Sequence, residues 1–157
     1  MLDVIGQIPL LYDLNKEQLE LLNSLFEVFT CPADHPIFEQ NDQASYLYLL
    51  ISGKVVLHYK PYDGTRIVLT HLNPGDVFGW SAVVGESVYT SGIYSETEVK
   101  AVRIRGSDLQ KLCREHPDLG SIMLDRLAEA VSGRWQDSRR QVQAILARNL
   151  NQNEKSK

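Results

Sequence analysis

The 157 residues are 43% hydrophobic, enough apolar material for one domain with a core of its own. No run of about 18 apolar residues exists, which excludes a membrane-spanning helix, and no basic-then-apolar stretch at the start suggests a secretory signal. The net charge of −4 is uneven: residues 1–99 hold 4 Lys/Arg against 13 Asp/Glu and residues 100–157 hold 12 against 7, which argues against a broad nucleic-acid footprint and leaves a small basic one toward the C-terminal end.

In chain order, residues 1–14 end in Pro9-Leu10-Leu11-Tyr12-Asp13-Leu14, an irregular apolar arm expected to pack on the domain. Asn15 followed by Gln18 has the spacing of a capping box. With Leu19, Leu22 and Leu25 or Phe26 at helical intervals, it predicts a helix from about Lys16 to Leu25. Phe26, Val28 and Thr30 then alternate with Glu27 and Phe29, and the chain switches to strands for about seventy residues. Cys31 opens this stretch; it and Cys113 form no C-x-x-C pair, so neither a zinc site nor a disulfide framework is expected, and a reducing cytoplasm fits.

Turn clusters at Pro32-Ala33-Asp34 and Asn41-Asp42 flank Ile37-Phe38. Tyr46–Ile51, Val55–Tyr59 and Ile67–Leu72 read as strands, the last two joined through Pro61-Tyr62-Asp63-Gly64, where Asp-Gly signals a hairpin. After them comes Asn73-Pro74-Gly75-Asp76-Val77-Phe78-Gly79-Trp80-Ser81-Ala82-Val83-Val84, then Tyr89-Thr90-Ser91-Gly92. A glycine followed by small residues lets an anion approach the backbone, and a short helix over Trp80–Val84 would turn free N–H groups toward it. Ile93-Tyr94 and the alternating Val99–Ile104 complete a set of short, regularly spaced strands. The expected fold is mainly β with flanking helices, a jelly-roll barrel.

The helical period returns at Ser107-Asp108, read as the cap of a short helix with Leu109, Leu112 and Cys113 on its apolar face. His116-Pro117-Asp118 restarts it, since proline suits a first helical turn. From Asp118 to about Asn149 no proline interrupts, and Leu119, Ile122 or Met123, Leu127, Ala130 or Val131, Val142 and Ile145 mark one stripe. A helix over about 118–150 would be roughly 45–50 Å long, more than a small barrel covers. A homodimer paired through Ile122, Met123, Leu127, Val131, Val142 and Ile145 is the expectation, with folding back on the barrel as the alternative. Residues 151–157 read as a frayed, disordered tail.

This order of elements resembles the cyclic-nucleotide-binding domain of the catabolite-activator/FNR superfamily. The likeness runs from Ile8-Pro9-Leu10 to about Leu150 and rests on Ile37–Asp42, Leu47–Val55, Leu72–Gly79, Arg103–Leu109 and His116-Pro117-Asp118. Asn41 stands where the family usually has glycine, and asparagine also tolerates left-handed backbone. The resemblance implies a double-stranded β-helix sensor over residues 1–150 and a ligand site at Phe78, Gly79, Trp80, Ser81, Ala82, Val83, Thr90, Ser91 and Gly92. Arg134 and Trp135 on the long helix are placed to cap it. In nucleotide-binding members, Phe-Gly is followed by a glutamate for the ribose, and about ten residues later by an arginine for the cyclic phosphate. Here Trp80 takes the first place and the second falls near Thr90, with no Lys or Arg between Arg66 and Lys100.

Trp80 therefore either fills the old pocket as core or lines an altered one for a flatter, less charged ligand. The expected ligand is a weakly bound cyclic nucleotide or another small anionic or aromatic molecule. The family's transcription factors carry a helix-turn-helix of about 60–70 residues past the long helix, whereas here a polar tail follows Leu150. No direct DNA binding is expected; a stand-alone sensor with an unknown protein partner, a ligand-free dimeric scaffold and the sensor part of a regulator all remain open. No two histidines stand two apart and no nucleophile pattern occurs, so no metal site and no enzyme activity is expected. His58 and His71 read as satisfied or exposed structural residues.

Overall fold

The computed structural model describes residues 11–61 and 64–129. Its first helix, α1 (Lys16–Leu25), opens on the reciprocal cap that the sequence predicts. The Asn15 carboxamide oxygen accepts from the Gln18 amide at 2.8 Å while Gln18 Oε1 accepts from the Asn15 amide at 3.0 Å. Two N–H groups that a helix start leaves orphaned are thereby satisfied.

Eight short strands follow: β1 (Glu27–Cys31), β2 (Pro36–Phe38), β3 (Tyr46–Ser52), β4 (Val55–Tyr59), β5 (Ile67–Leu72), β6 (Val77–Phe78), β7 (Gly92–Ser95) and β8 (Val99–Arg105). They pair antiparallel in two four-stranded sheets, ordered β1-β8-β3-β6 and β2-β7-β4-β5, a jelly roll. A four-residue helix, α2 (Ser81–Val84), sits between β6 and β7; α3 (Gly106–Glu115) follows β8 directly, and a further helix, α4, covers 117–129.

The first sheet is covered on both faces, so its central strands carry few polar residues. On β3, Leu47 and Leu49 join one cluster with Leu11, Leu22, Phe26, Val102, Ile104, Leu109, Leu112 and Met123 beneath the helices. Tyr48 and Leu50 join the other, with Phe38, Val55, Leu72, Phe78, Tyr89 and Ile93 between the sheets. Successive side chains point to opposite faces, which is how one strand serves both cores.

Two local expectations change. On β1 it is Phe29 and Cys31 that point inward, and Val28 is exposed. Val28 lies opposite Val102 on the helical face, but at the sheet edge, beyond the helices' cover. Ser107 and Asp108 do not cap α3: Arg105 is the N-cap residue, without a side-chain cap bond. The helix starts two residues earlier than a Ser107 cap would set it, at Gly106, whose amide donates to the Ser45 carbonyl at 3.0 Å. Tyr62 and Asp63 lie outside the described residues, and Gly64 closes its turn by donating to the Pro61 carbonyl at 3.3 Å. Two other local readings hold: Asn41 adopts φ +76, and Pro117 occupies the first turn of α4.

Candidate functional site

Antiparallel pairing of Val77 and Phe78 with Leu49 and Tyr48 brings the next residue, Gly79, onto the β3 backbone. Gly79 has φ +85, and a Cβ there would lie 2.6 Å from the Tyr46 carbonyl oxygen, so both conformation and space require glycine. The chain then turns into α2. Ala82 donates to the Gly79 carbonyl at 3.2 Å and Val83 to that of Trp80 at 2.9 Å. Among the described residues no hydrogen bond uses the Trp80 or Ser81 amide. Gly85, left-handed at φ +83, ends the helix with its amide on the Ser81 carbonyl. The predicted cassette thus exists as a glycine turn followed by one helical turn, with Ser81 and Ala82 buried.

The returning arm is dominated by a residue the sequence reading passed over. Tyr89 is 4% exposed, its ring stacked on Phe38 at 3.6 Å between centroids. Its hydroxyl donates to the Tyr46 carbonyl at 2.6 Å and accepts from the Tyr46 amide at 3.0 Å. Burial pushes the phenol up to about 12, so it is neutral at physiological pH. Beside it Tyr48 stacks on Phe78 at 4.9 Å, giving the barrel interior next to the cassette an aromatic lining. Thr90 is exposed, Ser91 half-buried and Gly92 buried at the start of β7.

Trp80 follows Gly79 as the N-cap residue of α2. It is half-buried and packs, with Val83, on the helical cluster rather than on the cluster between the sheets. Positive charge near the barrel interior comes from a part of the chain not considered for it. The β3–β8 register places Arg103 opposite Tyr48 and Arg105 opposite Tyr46. The Arg103 guanidinium lies 4.0 Å from the Tyr46 ring centre and its Nε donates to Glu27 Oε1 at 2.7 Å; Arg105 lies 5.0 Å from the same ring. The signal was in the alternation of Val99, Ala101, Arg103 and Arg105, which share one face of β8.

Of the residues assigned to a dimer seam, Met123 and Leu127 are 1% and 0% exposed in the chain's own helical core, and Ile122 is half-buried. Val131, Arg134, Trp135, Val142 and Ile145 lie outside the described residues. Among the described residues no three His, Cys, Asp or Glu side chains come together as metal ligands, and no helix is long and apolar enough to cross a membrane. His71 is exposed and pairs with Glu96 at 2.7 Å. His58 departs from expectation, being buried with neither ring nitrogen hydrogen-bonded.

Comparison with known sequences matches residues 28–116 to the cyclic nucleotide-binding domain. The chain belongs to that family. The cyclic AMP receptor protein of Thermus thermophilus is 30% identical over 126 residues, which is 78% of this chain and 58% of that protein. A CRP-like cAMP-activated global transcriptional regulator of Mycobacterium tuberculosis is 31% identical over 97 residues, 62% of this chain and 43% of the relative. The chain thus spans roughly half the length of these relatives. Among solved structures, the catabolite activator protein of Thermus thermophilus superposes with a TM-score of 0.70 at 26% identity, covering 87% of this chain and 62% of that one. The mainly β fold with flanking helices, read from the order of elements, is the fold of this family.

Proposed function

We propose that this domain is a regulatory, non-enzymatic sensor whose diverged cassette binds cyclic nucleotides weakly or takes another small anionic or aromatic ligand. The observation that carries the reading is Tyr89. It stands next to Thr90, near which the resemblance calls for the phosphate arginine, and sets a neutral, stacked, hydrogen-bonded phenol beside that place instead of a cation. A phosphate beside Gly79 has the Trp80 and Ser81 amides and the hydroxyls of Ser81, Thr90 and Ser91 to meet, without a cation on the cassette itself. Loss of one charge-assisted bond, about 1.5–3 kcal/mol, corresponds to roughly ten- to hundredfold weaker binding. The glutamate's ribose contact is missing as well.

A ligand on the cassette has a route to the helices. The Ala82 carbonyl of α2 abuts Gly106, the first residue of α3, so closely that no Cβ fits between them. Movement of α2 is thereby passed to α3 and on to α4, a shift of packed helices. We place the output on the helix that begins at residue 117, as a homodimer contact through its continuation. Val131→Glu is expected to give monomers in ultracentrifugation; an unchanged dimer would remove that part of the proposal.

Calorimetry with millimolar cAMP and cGMP tests the sensor reading. Thr90 is exposed and accepts a larger side chain, so Thr90→Arg is expected to tighten cAMP binding about tenfold or more. Tight, micromolar binding by the unmodified chain would refute the diverged-cassette reading. Absence of heat from both proteins would favour the second reading, a ligand-free interaction scaffold, which the aromatic stacks of Phe38 with Tyr89 and Tyr48 with Phe78 support. The longer relatives support a third placement, the sensing part of a transcription regulator.

A further inference from the structure

On the outer face of the second sheet, His58 of β4 pairs with Gly92 of β7, and its ring lies where a Gly92 side chain would be. Only 2% of His58 is exposed, and neither nitrogen has a hydrogen-bond partner. Tyr94 stacks on the ring at 4.5 Å. The Tyr94 hydroxyl donates to Glu39 Oε1, and the Arg66 guanidinium lies over the other ring system at 4.6 Å from the Tyr94 centre. Among the described residues the charged and titratable groups facing His58 are therefore Glu39 after β2, Arg66 before β5 and Tyr94 on β7.

A buried imidazole with two unpartnered nitrogens is a cost that a purely structural position avoids; leucine would pack there without a polar atom to satisfy. Burial, and then the Arg66 charge, hold His58 below the ordinary histidine range, while Glu39 opposes them. The neutral form is the one this packing accepts. The protonated form has a single anionic partner within the cluster, and that carboxylate is engaged by Tyr94.

We propose that His58, Tyr94 and Glu39 form an acid-sensitive latch under Gly92, in which one proton taken up from solvent by His58 draws Glu39 from the Tyr94 hydroxyl to the imidazolium and lifts the ring away from Gly92. Gly92 is the last residue of the cassette, so the latch joins proton uptake on the outer face to the arm that carries Tyr89, Thr90 and Ser91. What it regulates rests on the sensor reading; the latch itself does not, and the test uses no ligand.

The experiment is a pH titration of the whole chain followed by NMR, reading the histidine Cε1–H signals and the Gly92 amide. His58 is expected to titrate below the ordinary histidine range, with the Gly92 amide moving along the same curve. In Glu39→Gln, which removes the acceptor and keeps the shape, His58 is expected to titrate at still lower pH. In His58→Leu the Gly92 amide is expected to lose that transition. A His58 signal that titrates in the ordinary histidine range, or a Gly92 amide that stays still while His58 titrates, overturns the latch. Should His58→Leu fail to fold, the wild-type and Glu39→Gln curves decide alone.

Discussion

Replacing Gly79 by alanine tests whether the cassette turn is held by the β3 backbone or only by its own conformation. Two terms act at this position. A non-glycine residue in left-handed backbone costs roughly 1–2 kcal/mol, and the new Cβ would stand 2.6 Å from the Tyr46 carbonyl oxygen. That oxygen belongs to a strand paired on both sides and already accepts the Tyr89 hydroxyl, so it cannot swing aside as a side-chain tip would. Gly75 and Gly85 supply the controls. Both have positive φ, +94 and +83, and neither would bring a Cβ within 4 Å of another atom. Gly75→Ala and Gly85→Ala should therefore lose only the conformational term. Gly79→Ala should lose that and more, about 2–4 kcal/mol in all, which for a chain of this size lowers the melting temperature by roughly 4–16 °C. Urea denaturation of the three variants, at equal m-value, gives the comparison directly. Equal losses at all three positions would refute the reasoning, because the contact with Tyr46 would then contribute nothing.

Other predictions concern Tyr89. Tyr89→Phe keeps the stack on Phe38 but leaves the Tyr46 amide without its acceptor, so a loss of about 1–3 kcal/mol is expected in urea denaturation; a neutral result would mean that water replaces the hydroxyl. In alkali the folded phenol holds its proton to about 12, whereas an unfolded tyrosine releases it near about 10. The folded state then binds more protons in that window, and the sign of the linkage makes stability fall as pH rises through it. Tyr48 is raised by burial as well, so ultraviolet titration should show more than one tyrosine resisting ionisation until unfolding, and Tyr89→Phe should lower that number by one.

Most of the architecture was legible because it depends on local signals. Asn15 with Gln18 fixed the start of α1, Pro117 that of α4, and Pro74-Gly75 with Phe78-Gly79 bracketed β6 and the cassette turn. What escaped is what only strand register decides. Tyr89 lay within the quoted motif, yet its role follows from the neighbouring Asn41–Asp42 backbone, which places its ring on Phe38. Arg103 and Arg105 are far from the cassette in sequence and both reach the Tyr46 ring only through the pairing of β8 with β3. Trp80 was read by position in a motif, but one step past Gly79 the chain leaves the inner face and the indole finds the helical cluster instead. The contact of His58 with Gly92 is likewise a cross-strand pair with no sequence pattern.

Tyr46 ties these observations together. Its carbonyl fixes Gly79 by close approach and accepts from Tyr89, its amide donates to the same hydroxyl, and its ring lies under Arg103 and Arg105. The two arms of the cassette therefore meet on one residue of the central sheet. A ligand that separates them must break the Tyr89 hydroxyl's bonds to that backbone, and a ligand that fits without separating them leaves those bonds in place. On the proposed route through Ala82 and Gly106, the first kind is expected to move α3 and the second to leave it in place. Whether binding moves the helices thus depends on whether it displaces Tyr89. Hydrogen exchange at the Tyr46 amide separates the two cases, because that proton is protected only while the phenol accepts it. A ligand that leaves the exchange rate unchanged yet shifts α3 would show that the signal takes another path.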